Sequence, residues 1–180
     1  MHPELEIRSD DHVQGSALAR LTLLEYGDYQ CPYCARAFVA IHEAQRALGP
    51  DLRLVFRNFP LTEVHPYALP AAQAAEAADR QGRFWPMHDA LYTHQSELSP
   101  ELFGLLAEEF GFDLERFEKD GTSEEVIGRI RRDLRSAEQL QLPGTPSLFV
   151  NGVPYRGRFG PGELTPVLER LLQASEEISP

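Results

Sequence analysis

Apolar residues recur along this chain with two different periods, and the changes of period divide it into three. Leu21-Thr22-Leu23-Leu24-Glu25-Tyr26 is a short apolar run with the length of a buried strand. Ala35 to Leu48 holds no glycine or proline and reads as a helix, which Gly49-Pro50 stops. Leu52, Leu54 and Phe56 then alternate with Arg53, Val55 and Arg57, so residues 51–57 predict a second strand. Strand, helix and strand in this order make a crossover unit with parallel strands. The polar residues 1–20 ahead of it form a lead-in with room for a short edge strand.

Residues 61–140 turn wholly helical. An alanine-rich segment over 70–80 closes at Gly82, and a second helix over 86–95 opens at Pro86. Ser99-Pro100 starts a third, with Leu102, Leu105, Leu106 and Phe110 at helical spacing and Gly111 as its stop. Asp113 caps a short turn through Phe117. Thr122 to Glu125 has the form of a capping box and opens a long helix with Val126, Ile127, Ile130, Leu134 and Ala137 on one face. Arg129, Arg131, Arg132 and Arg135 fall on what reads as its solvated face. The third part returns to strands. Ser147-Leu148-Phe149-Val150 and Val153–Arg156 flank Asn151-Gly152, a two-residue hairpin signal. Leu164, Val167, Leu168, Leu171 and Leu172 then trace one helical stripe, and residues 174–180 are expected to fray. Neither strand-bearing half can bury a sheet alone, so the helical block reads as an insertion in one α/β layer. Residues 1–60 and 141–180 make the layer, and residues 61–140 the insertion.

Composition narrows the partners. A net charge of −11 repels nucleic-acid phosphates and anionic lipid. Lys119 is the one lysine. No apolar run approaches the ~18 residues of a membrane span. The first residues carry neither a basic nor an apolar leader region, so a cytoplasmic location is the expectation, with an extracytoplasmic one if a leader has been removed.

The two cysteines of the chain, Cys31 and Cys34, stand where the first strand hands over to the first helix, as Cys31-Pro32-Tyr33-Cys34. Pro32 suits the first helical position, which puts Cys31 at the N-cap. There its sulfur faces the free N–H groups of the first turn and the positive end of the helix dipole, both of which favour a thiolate. Cys34 lies nearly one turn on, on the same face, within reach of a small disulfide. A structural disulfide this short removes little chain entropy. A zinc site needs four ligands, and none of the six histidines falls within a few residues of the pair. Redox chemistry is therefore the favoured reading, with no metal and no further cofactor. His65, His88 and His94 read as surface or core residues, and Phe84-Trp85 as core packing rather than a groove wall.

Strand, C-P-Y-C, helix, helical insertion, then Gly144-Thr145-Pro146-Ser147 before a hairpin and a last helix resemble the DsbA-type thioredoxin-fold oxidoreductases. The likeness runs from about Leu21 to Gln173. It implies a thioredoxin-like βαβ…ββα fold with an all-helical insertion. It implies that Cys31 is the exposed, attacking thiol and Cys34 the resolving one. It also implies that the Thr145–Pro146 bond is cis and that the Thr145 backbone pairs with substrate. Glu25 matches a buried acid that exchanges protons with the deeper cysteine. The lysine often paired with that acid has no counterpart here, since only Arg53 and Arg57 are basic on the second strand. Pro32-Tyr33 is the glutaredoxin pair. Tyr33 brings no positive charge to Cys31, so the couple is expected to be less oxidising than DsbA, in the range of roughly −200 to −230 mV. Protein or small-molecule thiols and disulfides are the expected substrates. Glutathione or a thioredoxin-type reductant is the expected recycling partner. Two other classes share the fold: kappa-type glutathione transferases, against which Cys34 argues, and non-enzymatic chaperone or binding modules.

Overall fold

The computed structural model of the protein describes residues 2–176. The described residues fall into two compact units. One is made from residues 2–26, 36–57 and 146–176, the other from Gly27–Ala35 and Asn58–Thr145. The two cysteines are therefore grouped with the helical residues, although they lie between the first two predicted strands in the chain.

The first unit is built on a five-stranded sheet in the order β1-β3-β2-β4-β5. Its strands are β1 (His12–Gln14), β2 (Leu21–Gly27), β3 (Leu52–Asn58), β4 (Ser147–Val150) and β5 (Val153–Pro154). The lead-in supplies the edge, where β1 pairs antiparallel with β3 and places Val13 opposite Val55. β2 pairs antiparallel with β4, and β4 with β5. β2 and β3 are joined through helix α1 (Pro32–Leu48), the kind of crossover a parallel pair requires. In β2 and β3 every residue is buried except Thr22 and Arg53, which are half-buried. That is the mark of central strands covered on both faces. Ala37, Ala40, Ile41, Ala44 and Leu48 form the buried stripe of α1, and its three alanines let the helix axis approach closely.

The hairpin takes the form its sequence signals. Asn151 and Gly152 both have positive φ, 49° and 76°, which suits a type I′ turn. The Asn151 side chain also accepts from Thr22 N–H at 2.7 Å and so ties the turn to β2. Asn151→Ala is expected to cost about 1–3 kcal/mol, from the strained backbone and the lost bond, read as a lower urea midpoint with an unchanged slope. The returning strand is shorter than the sequence suggests, ending at Pro154, although Tyr155 N–H still donates to the Leu148 carbonyl at 2.8 Å. The last helix, α7 (Thr165–Glu176), is also less buried than its stripe implies. Leu164 and Leu168 are fully buried, but Leu171 is 42% exposed. Fraying was expected from residue 174, yet α7 continues through Glu176, and residues 177–180 lie outside the described residues.

The second unit packs five helices: α2 (Ala68–Asp79), α3 (Phe84–Thr93), α4 (Pro100–Glu109), α5 (Leu114–Gly121) and α6 (Glu124–Gln139). α2 is central and touches each of the other four. Its seven buried alanines allow this, because small side chains on every side admit neighbours on every side. Three of these helices differ from their predicted bounds. α3 begins at Phe84, and Pro86 sits inside its first turn, where a missing N–H still leaves no bond unmade. α5 is a full two-turn helix capped by Asp113 rather than a short turn. α6 is capped by Ser123, not Thr122, because Thr122 closes α5. Arg129 departs from the solvated face assigned to it. It is buried beside Asp133, which in turn accepts from Asn58 N–H at 3.1 Å, while the Asn58 amide donates to Glu76 at 2.6 Å. A charge bonded inside a core defeats periodicity, which assigns charges to the surface.

Candidate active site

Cys31 directly precedes α1, and its carbonyl accepts the first helical bond, from Ala35 N–H at 3.2 Å. That is the N-cap position expected of it. Cys34 is completely buried, and both cysteines are free thiols. Cys31 is less open than the sequence suggests, with 4% of its surface exposed. The Thr145 carbonyl covers it, 3.4 Å from its Sγ. Tyr33, by contrast, stands 58% exposed beside it, and Pro32 is exposed too.

The surroundings of Cys31 favour its thiolate. Its pKa is lowered from 9.0 to about 5, chiefly because the Cys34 thiol donates to it. Burial works the other way, and the Thr145 side chain and the N–H groups of Cys34 and Tyr33 add to the lowering. The donors thus outweigh desolvation. The two main-chain donors belong to the first turn of α1, which is the N-terminal effect the spacing predicts.

The segment leading into Cys31 is pinned by residues that periodicity does not reveal. Asp28 is buried to 1% exposure. Its carboxylate accepts from Gln30 N–H at 2.8 Å on one oxygen, and from Leu61 N–H at 2.9 Å and His65 Nδ1 at 2.8 Å on the other. Asp28 N–H points at Cys34 Sγ, 3.5 Å away. Gln95 donates through one amide nitrogen to the carbonyls of Tyr29 at 2.8 Å and Cys31 at 2.9 Å. Tyr29 reaches His88 Nδ1 at 3.0 Å through its hydroxyl. Around that imidazole pack Phe84, Trp85 and Tyr92. Phe84-Trp85 is thus core packing, as expected. His88 is a satisfied core residue, also as expected, but it packs on the segment that carries the cysteines. His65 is neither plain surface nor plain core, since its Nδ1 meets the buried Asp28 carboxylate at 2.8 Å. The signal available in the sequence is the run Asp28-Tyr29-Gln30 itself, three polar or aromatic residues at the end of an apolar strand.

The remaining predicted site residues lie on the sheet-bearing unit. Glu25 is buried to 1% exposure on β2, in register with Leu148 of β4. Pro146 immediately precedes β4 and is half-buried. No helix among the described residues is long and apolar enough to cross a membrane.

A family model described as thioredoxin matches residues 8–170. The chain belongs to the thioredoxin family. Within that family it has the DsbA-like form of the fold. It is similar to a thioredoxin-like oxidoreductase from Silicibacter pomeroyi DSS-3, with 28% identity and a TM-score of 0.80 over 96% of this chain and 95% of that one. It is similar in fold to oxidised BdbD from Bacillus subtilis, with 21% identity and a TM-score of 0.79 over 93% of each chain. In sequence it is also 44% identical, over 88% of its length, to part of a protein named Na(+)/H(+) antiporter NhaA 1 from Mycolicibacterium gilvum. The match covers 26% of that protein, so the chain spans about a quarter of the length of the curated relatives it matches.

Proposed function

We propose that this thioredoxin-family chain exchanges disulfides with protein or small-molecule thiols through Cys31 and Cys34. The observation that carries the reading is the pair of free thiols at the start of α1, with Cys31 at the N-cap and Cys34 buried nearly one turn on, an arrangement that lowers the Cys31 pKa to about 5. A thiolate at neutral pH is the nucleophile of exchange. Cys31 attacks a substrate disulfide and forms a mixed disulfide, and one substrate sulfur leaves. Cys34 then attacks Cys31 Sγ and releases the second sulfur, so two electrons pass from the dithiol to the substrate. Running backwards, the same steps oxidise a substrate dithiol. The Thr145 main chain, beside Cys31 Sγ, is proposed to pair with the substrate backbone, and the Thr145–Pro146 bond to be cis. Glu25, buried on β2, is proposed as the acid that exchanges protons with Cys34. Glutathione or a thioredoxin-type reductant would recycle the pair.

The test is equilibration in glutathione buffers of graded potential, with free thiols counted by alkylation and mass. A single two-electron transition in the range of roughly −200 to −230 mV is expected. The reading fails if no reversible transition appears, or if Cys31→Ser reduces insulin as fast as the unmodified chain.

A further inference from the structure

Cys34 must ionise to resolve the mixed disulfide, yet it has no exposed surface. A sulfur out of reach of water ionises readily only where donors face it. Asp28 N–H is such a donor, 3.5 Å from Cys34 Sγ. A carboxylate on the same residue could oppose a thiolate. Here its oxygens are taken up by Gln30 N–H, Leu61 N–H and His65 Nδ1, and an ionised carboxylate only accepts, so His65 donates. Asp28 therefore presents the sulfur with its N–H while its charge is directed into three donors. The contacts join two separate stretches of the second unit, the turn at residues 28–30 and the loop at residues 61–65. Gln30 fixes the local turn, Leu61 fixes the loop ahead of α2, and His65 closes the clamp from further along that loop.

We infer that Asp28 is a further catalytic residue of the resolving step, acting through its N–H on Cys34, and that His65 is a positioning residue that holds Asp28 in place. This rests on the exchange reading proposed above. In the step, the Cys34 thiolate gives its electron pair to Cys31 Sγ and the Cys31–Cys34 bond forms. The bond between Cys31 and the substrate sulfur breaks, and its pair leaves on that sulfur. The proton lost by Cys34 balances the one the leaving sulfur takes up. Asp28 N–H stabilises the charge on Cys34 before attack, as an oriented donor does at any developing anion.

The experiment mixes reduced protein with dithionitrobenzoate and follows release of the coloured thiol. The first equivalent reports attack by Cys31, the second resolution by Cys34. In His65→Leu the ratio of second to first rate is expected to fall on the order of 10-fold to 100-fold, the usual consequence of a displaced donor. His65→Asn places an amide nitrogen near the position of Nδ1, and should restore most of that ratio. Asp28→Asn turns a donor towards groups that are already donors, and should reproduce His65→Leu. The inference is overturned if the ratio is unchanged in both His65→Leu and Asp28→Asn, if both steps slow alike, or if His65→Asn gives no rescue. An unmodified chain that releases no thiol at all sinks the exchange reading itself, which separates the two failures.

Discussion

Ultraviolet thiolate absorbance of the reduced protein should rise through a transition centred near pH 5, and that transition should vanish in Cys31→Ser. The value follows from the donors around Cys31, which lower its pKa from 9.0 to about 5 despite its burial. Cys34→Ala removes the largest of these contributions, so the midpoint in that variant should move up towards the ordinary thiol range. Cys34→Ser keeps a hydroxyl that can donate and should move it less. Cys34→Ser should also accumulate mixed disulfides, because nothing resolves them, whereas Cys31→Ser should accumulate few. A midpoint at the free-cysteine value of ~8.5 in the unmodified chain would remove the basis for assigning attack to Cys31.

The same shift makes the stability of the reduced protein depend on pH. Between pH 5 and 9 the unfolded chain keeps the Cys31 proton and the folded chain does not. Stability from this group therefore rises with pH across that window, by about 1.4 kcal/mol per unit, and is fully present above pH 9. It is lost as pH falls through 5. Oxidation to the disulfide removes the titrating thiol. The difference in urea midpoint between oxidised and reduced protein should therefore narrow as pH rises from 5 to 9, if the oxidised form is the more stable at low pH. The thiolate stabilises the reduced state, which makes a dithiol more oxidising. A pKa of about 5 lies between the ~7 of thioredoxin and the ~3.5 of DsbA, consistent with an intermediate couple.

The elements of the fold were largely legible because their signals are local. Two strands with buried faces, the Ser99 and Asp113 caps and the Asn151-Gly152 turn each declare themselves within a few residues. So did the dithiol, since its spacing and its place at a strand–helix junction are both written in one stretch. The polar residues that position it were not legible. His65 meets Asp28 across 37 positions, and Gln95 meets Tyr29 across 66. Periodicity assigns such side chains to the surface, and only the folded chain shows what they bond. Arg129 and Asp133 were missed for the same reason. Glu25 is buried as the resemblance implies, but the acidic residue whose main chain reaches Cys34 is Asp28, which no spacing rule singles out.

Breaking the ion pair of Arg57 is expected to cost several kcal/mol of stability. The sequence singles out Arg57 only as one of two basic residues on the second strand, neither a counterpart of the lysine often paired with the acid that Glu25 matches. Instead its fully buried guanidinium bonds the Asp11 carboxylate through Nε at 2.9 Å and Nη2 at 2.7 Å. The remaining donors reach the Tyr26 hydroxyl at 2.8 Å and the carbonyls of Glu4 and Glu6. Burial alone would favour losing the proton, but Asp11 and Tyr26 outweigh it and raise the guanidinium pKa above its ordinary value. Arg57 thus stays charged at every working pH. It ties the lead-in, three separate residues of it, to the centre of the sheet. Asp11→Ala leaves that charge buried without its carboxylate, and is expected to destabilise the protein by roughly 3–5 kcal/mol. Arg57→Met leaves the buried Asp11 carboxylate without its guanidinium, though Arg8 N–H still donates to it at 2.8 Å, and is expected to destabilise the protein by a comparable amount. Urea denaturation reads both. Amide exchange should rise first at residues 4–14, because the tether of that segment is what the substitution removes. A loss under about 1 kcal/mol in Asp11→Ala would mean that the pair behaves as a surface ion pair, and that some other contact holds the lead-in to β3.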